Sequence, residues 1–298
     1  MDQVRIGREH VEVVVLPEAG ARLHRIRAFG HDVLRAPGDP SHHRDDPFMW
    51  GGYVMAPWCN RIEADPVEVA GRTISLGSNF VDGTAIHGQV YLRPWQVDGP
   101  GSFVIRGGGD GWPWRYEVRE RVELAGTAIR VELEVTNLDT EPMPAGIGLH
   151  PWFLGPLEVA IRGDVVYAPN GDTPALPVPV AGPTDLRRLG EMAEGVDATW
   201  GRLVEGGRGS GARAPVELRW PGLGIGAEMR VEAPAIFIVA ANPPGAGAIA
   251  VEPETHAPQA LRRLRKGEPG GLTMLDPGAT LRLAMTLAFT RLPPGAEA

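Results

Sequence analysis

The chain has 298 residues, 43% of them hydrophobic, which suits a protein with a sizeable core and argues against disorder. Its formal charge of -8 argues against nucleic acid as a partner, because phosphate binding is driven by clustered Lys and Arg. A lone cysteine, Cys59, excludes an internal disulfide, and a lone lysine, Lys266, makes Schiff-base chemistry a poor expectation.

The opening residues MDQVRIGREH carry no secretory pattern, and no apolar run approaches the roughly 18 residues a membrane helix needs. A cytoplasmic protein with no membrane partner is expected. Residues 10–20, HVEVVVLPEAG, read as a strand stopped by Pro and Gly. SHHRDDP, 41–47, is a dense His/Asp cluster without metal-ligand spacing and reads as a polar loop, so no metal is expected. In MAPWCNRIEA, Arg61 offers a rigid fork of donors suited to hydroxyls or a carboxylate; a structural ion pair with Glu63 or Asp65 is the other reading. In GTAIHGQVYLRPW, His87 precedes Gly88, which allows close backbone approach. Tyr91 and Trp95 follow as rings on which a sugar could stack, and a core histidine beside a turn fits equally well.

RGGGDGW, 106–112, and EGGRGSGARAP, 205–215, lack the strand-to-helix setting of a phosphate cradle and read as turns or loops. Between them, TAIRVELEVTN alternates cleanly, with Ile129, Val131, Leu133 and Val135 on one face and polar residues on the other. AGIGLHPWF, 145–153, places His150 directly before Pro151, where an inner strand is expected to end. Histidine gives or takes a proton near neutral pH, although a satisfied core histidine is the plainer reading. PTDLRRLGEMAEG, 183–195, is the one plausible helical piece. In EGVDATWGRL, Asp197 reads as a loop residue, a turn or cap unless a site recruits it.

Towards the C-terminus, VELRWPGLGIGAEMRVEAP, AIFIVAANPPG and ATLRLAMTLAFTRL again alternate like strands. GAIAVEPETHAPQAL sets Glu252 at the end of an apolar run, where a carboxylate is costly unless it has partners or a task. Glu254 competes with it, since residues two apart share a strand face. Pro253 is expected to end the strand, which favours Glu252. RRLRKGEPGG, 262–271, reads as a solvated loop. With many short strands, 40 glycines, 29 prolines and no βαβ alternation, the expected fold is an all-β sandwich or barrel-like architecture, with a single domain over 1–298.

Several blocks, in order along nearly the full length, resemble the aldose 1-epimerase (galactose mutarotase-like) family. They are VVVLPEAGARLHRIRAFGHDVLR, MAPWCNRI, AIHGQVYLRPW, VTNLDTEPMPAGIGLHPWF, VDATWGRL, AVEPETHAPQA and LDPGATLRLAMTLAF. The Asn-Arg-Ile, Ile-His-Gly and Leu-His-Pro-Trp-Phe blocks are the strongest. The resemblance implies a large antiparallel β-sandwich, a galactose mutarotase-like supersandwich, with its sugar site in a cleft on one sheet. It implies Glu252 as general base, His150 as general acid, and Arg61, His87 and Asp197 as sugar-binding residues. The Glu-Pro-Glu-Thr block departs from the Glu-Thr-Gln pattern of the best-known galactose mutarotases, which bears on the substrate more than on the chemistry.

The implied reaction interconverts the α and β anomers of a free aldose. A proton leaves the C1 hydroxyl, another reaches the ring oxygen, and the ring opens and recloses. One base and one acid suffice, without cofactor or covalent intermediate. On this expectation a carboxylate near 4.3 is ionised, and a neighbouring carboxylate holds the histidine protonated. Three other readings stand beside it: an epimerase of phosphorylated hexoses using Arg72, Arg93 or the 262–266 stretch, a non-catalytic carbohydrate-binding protein, and a glycosidase or lyase with Glu252 and Asp197 as its carboxylates.

Overall fold

Alternating side chains decide the architecture. In the strand Ala128–Asn137 the four apolar residues named above are buried while their polar neighbours stay part-exposed. A two-residue turn at 126–127, with Gly126 at a φ of 60°, folds this strand back on Trp112–Ala125. The computed structural model describes residues 1–62, 65–167, 176–203 and 215–293. Within them, two large antiparallel sheets dominate.

The nine-stranded sheet runs in the order Gln96–Gly99, Ser102–Gly109, Trp112–Ala125, Ala128–Asn137, Thr280–Arg291, Ile225–Glu232, Val216–Trp220, Glu158–Ile161, Gly190–Glu191. The centre of the eleven-stranded sheet runs Arg22–Ala28, Gly52–Met55, Gly148–Leu154, Ala248–Glu254, Phe237–Ala241, Asp197–Leu203, Gly163–Tyr167. Their apolar faces meet in one core cluster, to which Val54, Leu149, Phe153, Val251 and Ile238 come from one sheet and Leu133, Val135, Met285 and Leu287 from the other. The all-β expectation is thus met.

Local expectations fared unevenly. The glycine-rich segment 106–112 is a hairpin turn between Ser102–Gly109 and Trp112–Ala125; residues 205–214 lie outside those described. Residues 183–195 form no helix. A single turn at Gly182–Thr184 leads to the short strand Gly190–Glu191, because Leu186 and Met192 enter the core six residues apart, a spacing no helical face has. Helix forms instead in two stretches read as loops, a single turn at His42–Asp45 and the longer Ala260–Lys266. Ala260, Leu261 and Leu264 pack on the core, Gly267 caps the C-terminus in the left-handed conformation, and Lys266 stays in solvent.

Neither Pro151 nor Pro253 ends its strand. Gly148–Leu154 and Ala248–Glu254 both run through their prolines. Their shared ladder is paired at Gly148–Glu254 and Trp152–Ala250 and open between, so the missing N–H groups fall where the ladder is already interrupted.

One buried group breaks the apolar rule. Glu120 lies on the inner face of Trp112–Ala125, between Phe103 and Leu133, with no exposure and no hydrogen bond to either carboxyl oxygen. Burial pushes its carboxyl well above the usual range, so it is neutral in the fold. Above the unfolded chain's ordinary value of about 4.3, unfolding releases this proton, and stability therefore falls as pH rises. Glu120→Met should raise stability by about 1–3 kcal/mol at pH 8, the usual cost of an unsatisfied buried polar group, and by less at pH 5. Urea unfolding at both pH values checks this; an equal or larger gain at pH 5 would contradict it.

Candidate functional site

The same alternation that fills the core sends a second set of side chains to the opposite face of the eleven-stranded sheet. Across neighbouring strands, Tyr53 stands opposite His150, and Glu252 stands opposite Val239. The pairs Gly148–Glu254 and Trp152–Ala250 bracket His150 and Glu252, which places these two opposite each other across the open part of the ladder. Their side chains meet, with His150 Nε2 3.1 Å from Glu252 Oε1. The next row reads Trp152, Ala250, Ala241, Asp197. The two alanines raise almost nothing above the sheet, and a hollow is left between the Trp152 indole and the Asp197 carboxyl.

That hollow is a cavity of about 180 Å³ lined by all five residues singled out in the sequence: Arg61, His87, His150, Asp197 and Glu252. Phe48, Tyr53, Phe80, Trp152 and Pro243 supply most of its apolar wall. Asp197 is the first residue of the strand Asp197–Leu203 rather than a loop residue, and it stands exposed at the rim. Tyr91 and Trp95 do not line the cavity. Trp95 is in the core, bonded to the Val90 carbonyl, while Tyr91 packs behind Phe48 and Tyr53. Two of the rings that do line the cavity, Tyr53 and Trp152, lie on strands whose pairing the local sequence does not disclose.

Two loops bring the remaining groups in. The Asn60 N–H donates to His87 Nδ1 at 3.3 Å, and the His87 N–H donates back to the Asn60 carbonyl at 3.1 Å. Both residues take left-handed backbone conformations, at φ 54° and 60°. Because Nδ1 accepts, the ring proton of neutral His87 sits on Nε2. Gly88 follows at φ 75°, and a Cβ there would fall 2.0 Å from the Ala56 carbonyl oxygen, so only glycine fits.

The loop of Asn60 is pinned from below by His256, whose Nε2 accepts the Cys59 N–H at 2.9 Å. Gly146 leaves room for that ring, since a Cβ would lie 2.3 Å from His256 Cδ2. Arg61 Nε donates to Asp82 Oδ2 at 2.9 Å, and its guanidinium lies over the Phe80 ring. The ion pair is therefore made with Asp82 rather than Asp65, and Glu63 lies outside the described residues. Asp82, Tyr53, Trp152 and His256 were missed in the sequence; a polar residue near Thr84 and a histidine after Glu254 were the available hints.

The electrostatics differ from the simple carboxylate–imidazolium expectation. Burial pushes Glu252 well above the usual carboxylate range, with the Glu254 and Asp197 charges adding to it and Arg61 opposing. Burial takes His150 down to about 3. Both shifts favour the uncharged forms, so the proton the two share rests on Glu252. The His87 ring is kept neutral chiefly by burial, with the Arg61 charge acting the same way. His43, from the His/Asp cluster, is far from a solvated loop residue. It is buried and bonded to His24 Nδ1 at 2.9 Å. Among the described residues, no helix is long and apolar enough to cross a membrane, and no group of three or more His, Cys, Asp or Glu could hold a metal.

Comparison with known proteins agrees with the fold. A galactose mutarotase-like protein from Clostridium acetobutylicum superposes with a TM-score of 0.82 at 16% identity, covering 97% of this chain and 95% of its own. The galactose 1-epimerase of Lactobacillus acidophilus NCFM gives a TM-score of 0.73 at 15% identity, covering 98% and 99%. In sequence, the uncharacterized protein YphB of Escherichia coli K12 is 26% identical over 245 residues, 79% of this chain and 82% of that protein. The profile of the aldose 1-epimerase family spans residues 2–288, and the chain belongs to that family.

Proposed function

We propose that the protein is a cytoplasmic aldose 1-epimerase, working as one domain over residues 1–298 and interconverting the anomers of an unphosphorylated aldose. The observation that carries this reading is the 3.1 Å contact between His150 and Glu252 at the floor of a cavity lined by further hydrogen-bonding groups. The pair holds one proton in total, and ring opening needs one acid and one base. With a sugar bound, hydroxyls that bond to the charged forms favour Glu252 as carboxylate and His150 as imidazolium.

Glu252 then takes the proton of the C1 hydroxyl while His150 Nε2 gives its own to the ring oxygen. The C1–O5 bond breaks, C1 becomes an aldehyde, and rotation about C1–C2 presents its other face. Reclosure reverses both transfers, with O5 returning its proton to His150 and Glu252 returning one to O1. The enzyme ends each cycle as it began, and no covalent intermediate is required. The His87 Nε2–H and the free guanidinium nitrogens of Arg61 act as donors to sugar oxygens. Asp197 acts as an acceptor from sugar hydroxyls at the rim, and the Trp152 face meets the C–H surface of the ring.

The charge of the cavity favours an uncharged sugar over a phosphorylated one. Among the described residues lining it, Arg61 is the cation, and it is already paired with Asp82, with Asp197 also at the rim. Arg72 is committed to Asp139, and Arg93 reaches the Arg106 carbonyl. A pure binding protein has no use for a desolvated acid–base pair, whose burial is costly.

Polarimetry on freshly dissolved α-D-glucose and α-D-galactose should show mutarotation faster than the spontaneous rate. Glu252→Gln and His150→Ala should each lose roughly 10²–10⁴-fold, the usual worth of one positioned acid or base, while melting like the wild type. A wild-type rate in either variant would remove that residue from its role. Arg61→Ala and His87→Ala should chiefly raise KM, and glucose 6-phosphate should be turned over no better than glucose.

The pH profile tests the shared proton. Activity falls at low pH when His150 takes up a second proton, and at high pH when Glu252 loses the only one. With His150 driven to about 3 and Glu252 driven up, kcat/KM should stay flat through neutral pH and decline on the alkaline side. A limb centred near the ordinary histidine value of about 6.5 would contradict this.

A further inference from the structure

Glu254 is a second carboxyl beside Glu252 with no part in the steps above. It lies two residues on, on the same outward face of Ala248–Glu254, while Ile249 and Val251 face the core. It has no exposure, and neither of its oxygens has a hydrogen-bond partner; Glu252 Oε2 has none either. Gly148 stands opposite it, and a Cβ there would lie 2.8 Å from Cys59 Sγ and 3.0 Å from Met55 Cε, so these two side chains close over this end of the row. On the other side Glu254 is paired with Phe237. Removing water from two neighbouring carboxyls is costly, and nothing in the core packing requires the second one.

We propose that Glu254 is a positioning residue for the reaction at Glu252. As a second carboxyl in the adjacent dry row, it fixes the charge against which Glu252 holds its proton. The inference rests on the reading of Glu252 as the proton acceptor. Two desolvated carboxyls this close ionise in two steps that belong to the pair, and the charge left by the first step resists the second. The proton shared with His150 is thereby retained to higher pH than Glu252 alone would retain it.

The surrounding groups do not cancel that charge. Tyr53 faces the pair from Gly52–Met55, with Arg22 stacked behind its ring and engaged by backbone carbonyls. Cys59 and Arg61 come from the next loop, the latter paired with Asp82. His150 comes from Gly148–Leu154, His87 from the facing loop and Asp197 from the rim, while Phe237, Val239 and Ala241 on the other flanking strand are uncharged. His256 follows in sequence and is bonded to backbone at both nitrogens. The Cys59 thiol is held well above its ordinary range by burial and then by Glu254, ahead of Glu252, in keeping with Glu254 lying against it.

The test is the pH profile of mutarotation for the wild type, Glu254→Gln and Glu254→Asp, with melting temperatures alongside. Glu254→Gln should move the alkaline limb down by about one pH unit or more, while Glu254→Asp keeps it in place. A uniform loss of rate with an unmoved limb would overturn the proposal. If the buried amide prevents folding, Glu254→Met removes the charge at similar volume and should give the same displacement. Carbon-13 titration of the Glu252 carboxyl, assigned through Glu252→Gln, gives a readout that needs no turnover. Should the wild type accelerate no sugar, the function proposed above fails, and this titration alone decides on Glu254. A lower Glu252 midpoint in Glu254→Gln supports the coupling, and an unchanged midpoint ends it.

Discussion

Desolvation of one acid–base pair is the constraint around which the site is built. His150 and Glu252 stand on adjacent strands, and each loses its hydration when the rows of the sheet close around it. In water the pair would be a carboxylate beside a partly protonated imidazole. Out of water the uncharged arrangement wins, and the proton moves to the oxygen. A pair in that condition is poised in a useful way, since the charged arrangement is one proton hop away and becomes favourable once a ligand offers hydrogen bonds to it. The rings and alanines beside the pair maintain this condition. Tyr53 stacks on the His150 ring at 4.5 Å, Trp152 covers its other flank, and the Ala250–Ala241 floor leaves a sugar-sized space without admitting bulk solvent from below.

Long strands place His150, Glu252 and Asp197, and short segments outside the two large sheets place Arg61 and His87. The distinction has a physical reason. The ladder pairs on either side of His150 and Glu252 hold them opposite each other. Arg61 and His87 must reach over the cleft, so they sit on short segments that would be mobile without tethers. The tethers are specific: the reciprocal Asn60–His87 backbone contacts, His256 beneath Cys59, Asp82 on Arg61 and the Asn79 amide bridging Ile86 to Tyr91. Left-handed Asn60 and His87 carry a strain of about 1–3 kcal/mol each, sustained because the surrounding contacts leave them no alternative.

Much of this could be read in the sequence, and what escaped did so for definable reasons. Period-two alternation is local, so the sandwich strands were legible from composition and spacing alone. Arg61, His87, His150, Asp197 and Glu252 were legible as candidates, and all five reach one cavity. Their mutual geometry was not, because register between Gly148–Leu154 and Ala248–Glu254 joins residues a hundred positions apart. The prolines misled for a related reason: whether Pro151 ends a strand depends on a gap in a ladder whose partner lies far along the chain. The helix at Ala260–Lys266 was hidden by its charge, since its apolar residues are few and its stability comes from packing on the core and the Gly267 cap. Tyr91 and Trp95 were close to His87 in sequence but turned to other layers.

The buried carboxyls give the clearest lesson in how one physical effect has different consequences. Glu120, Glu252 and Glu254 all lose their hydration, and for each of them burial is the foremost cause of a raised proton affinity. Glu120 faces the interior of the sandwich between Phe103 and Leu133, without a hydrogen-bond partner among the described residues, and its burial is a cost alone. Glu252 faces outward, touches His150 and borders the cavity, so the same cost becomes a proton placed where a reaction could use it. Glu254 lies between these cases, with no direct partner yet one row from Glu252. The side of the sheet on which a residue falls, set by whether its position is odd or even along the strand, therefore separates a defect in the core from chemistry in the cleft.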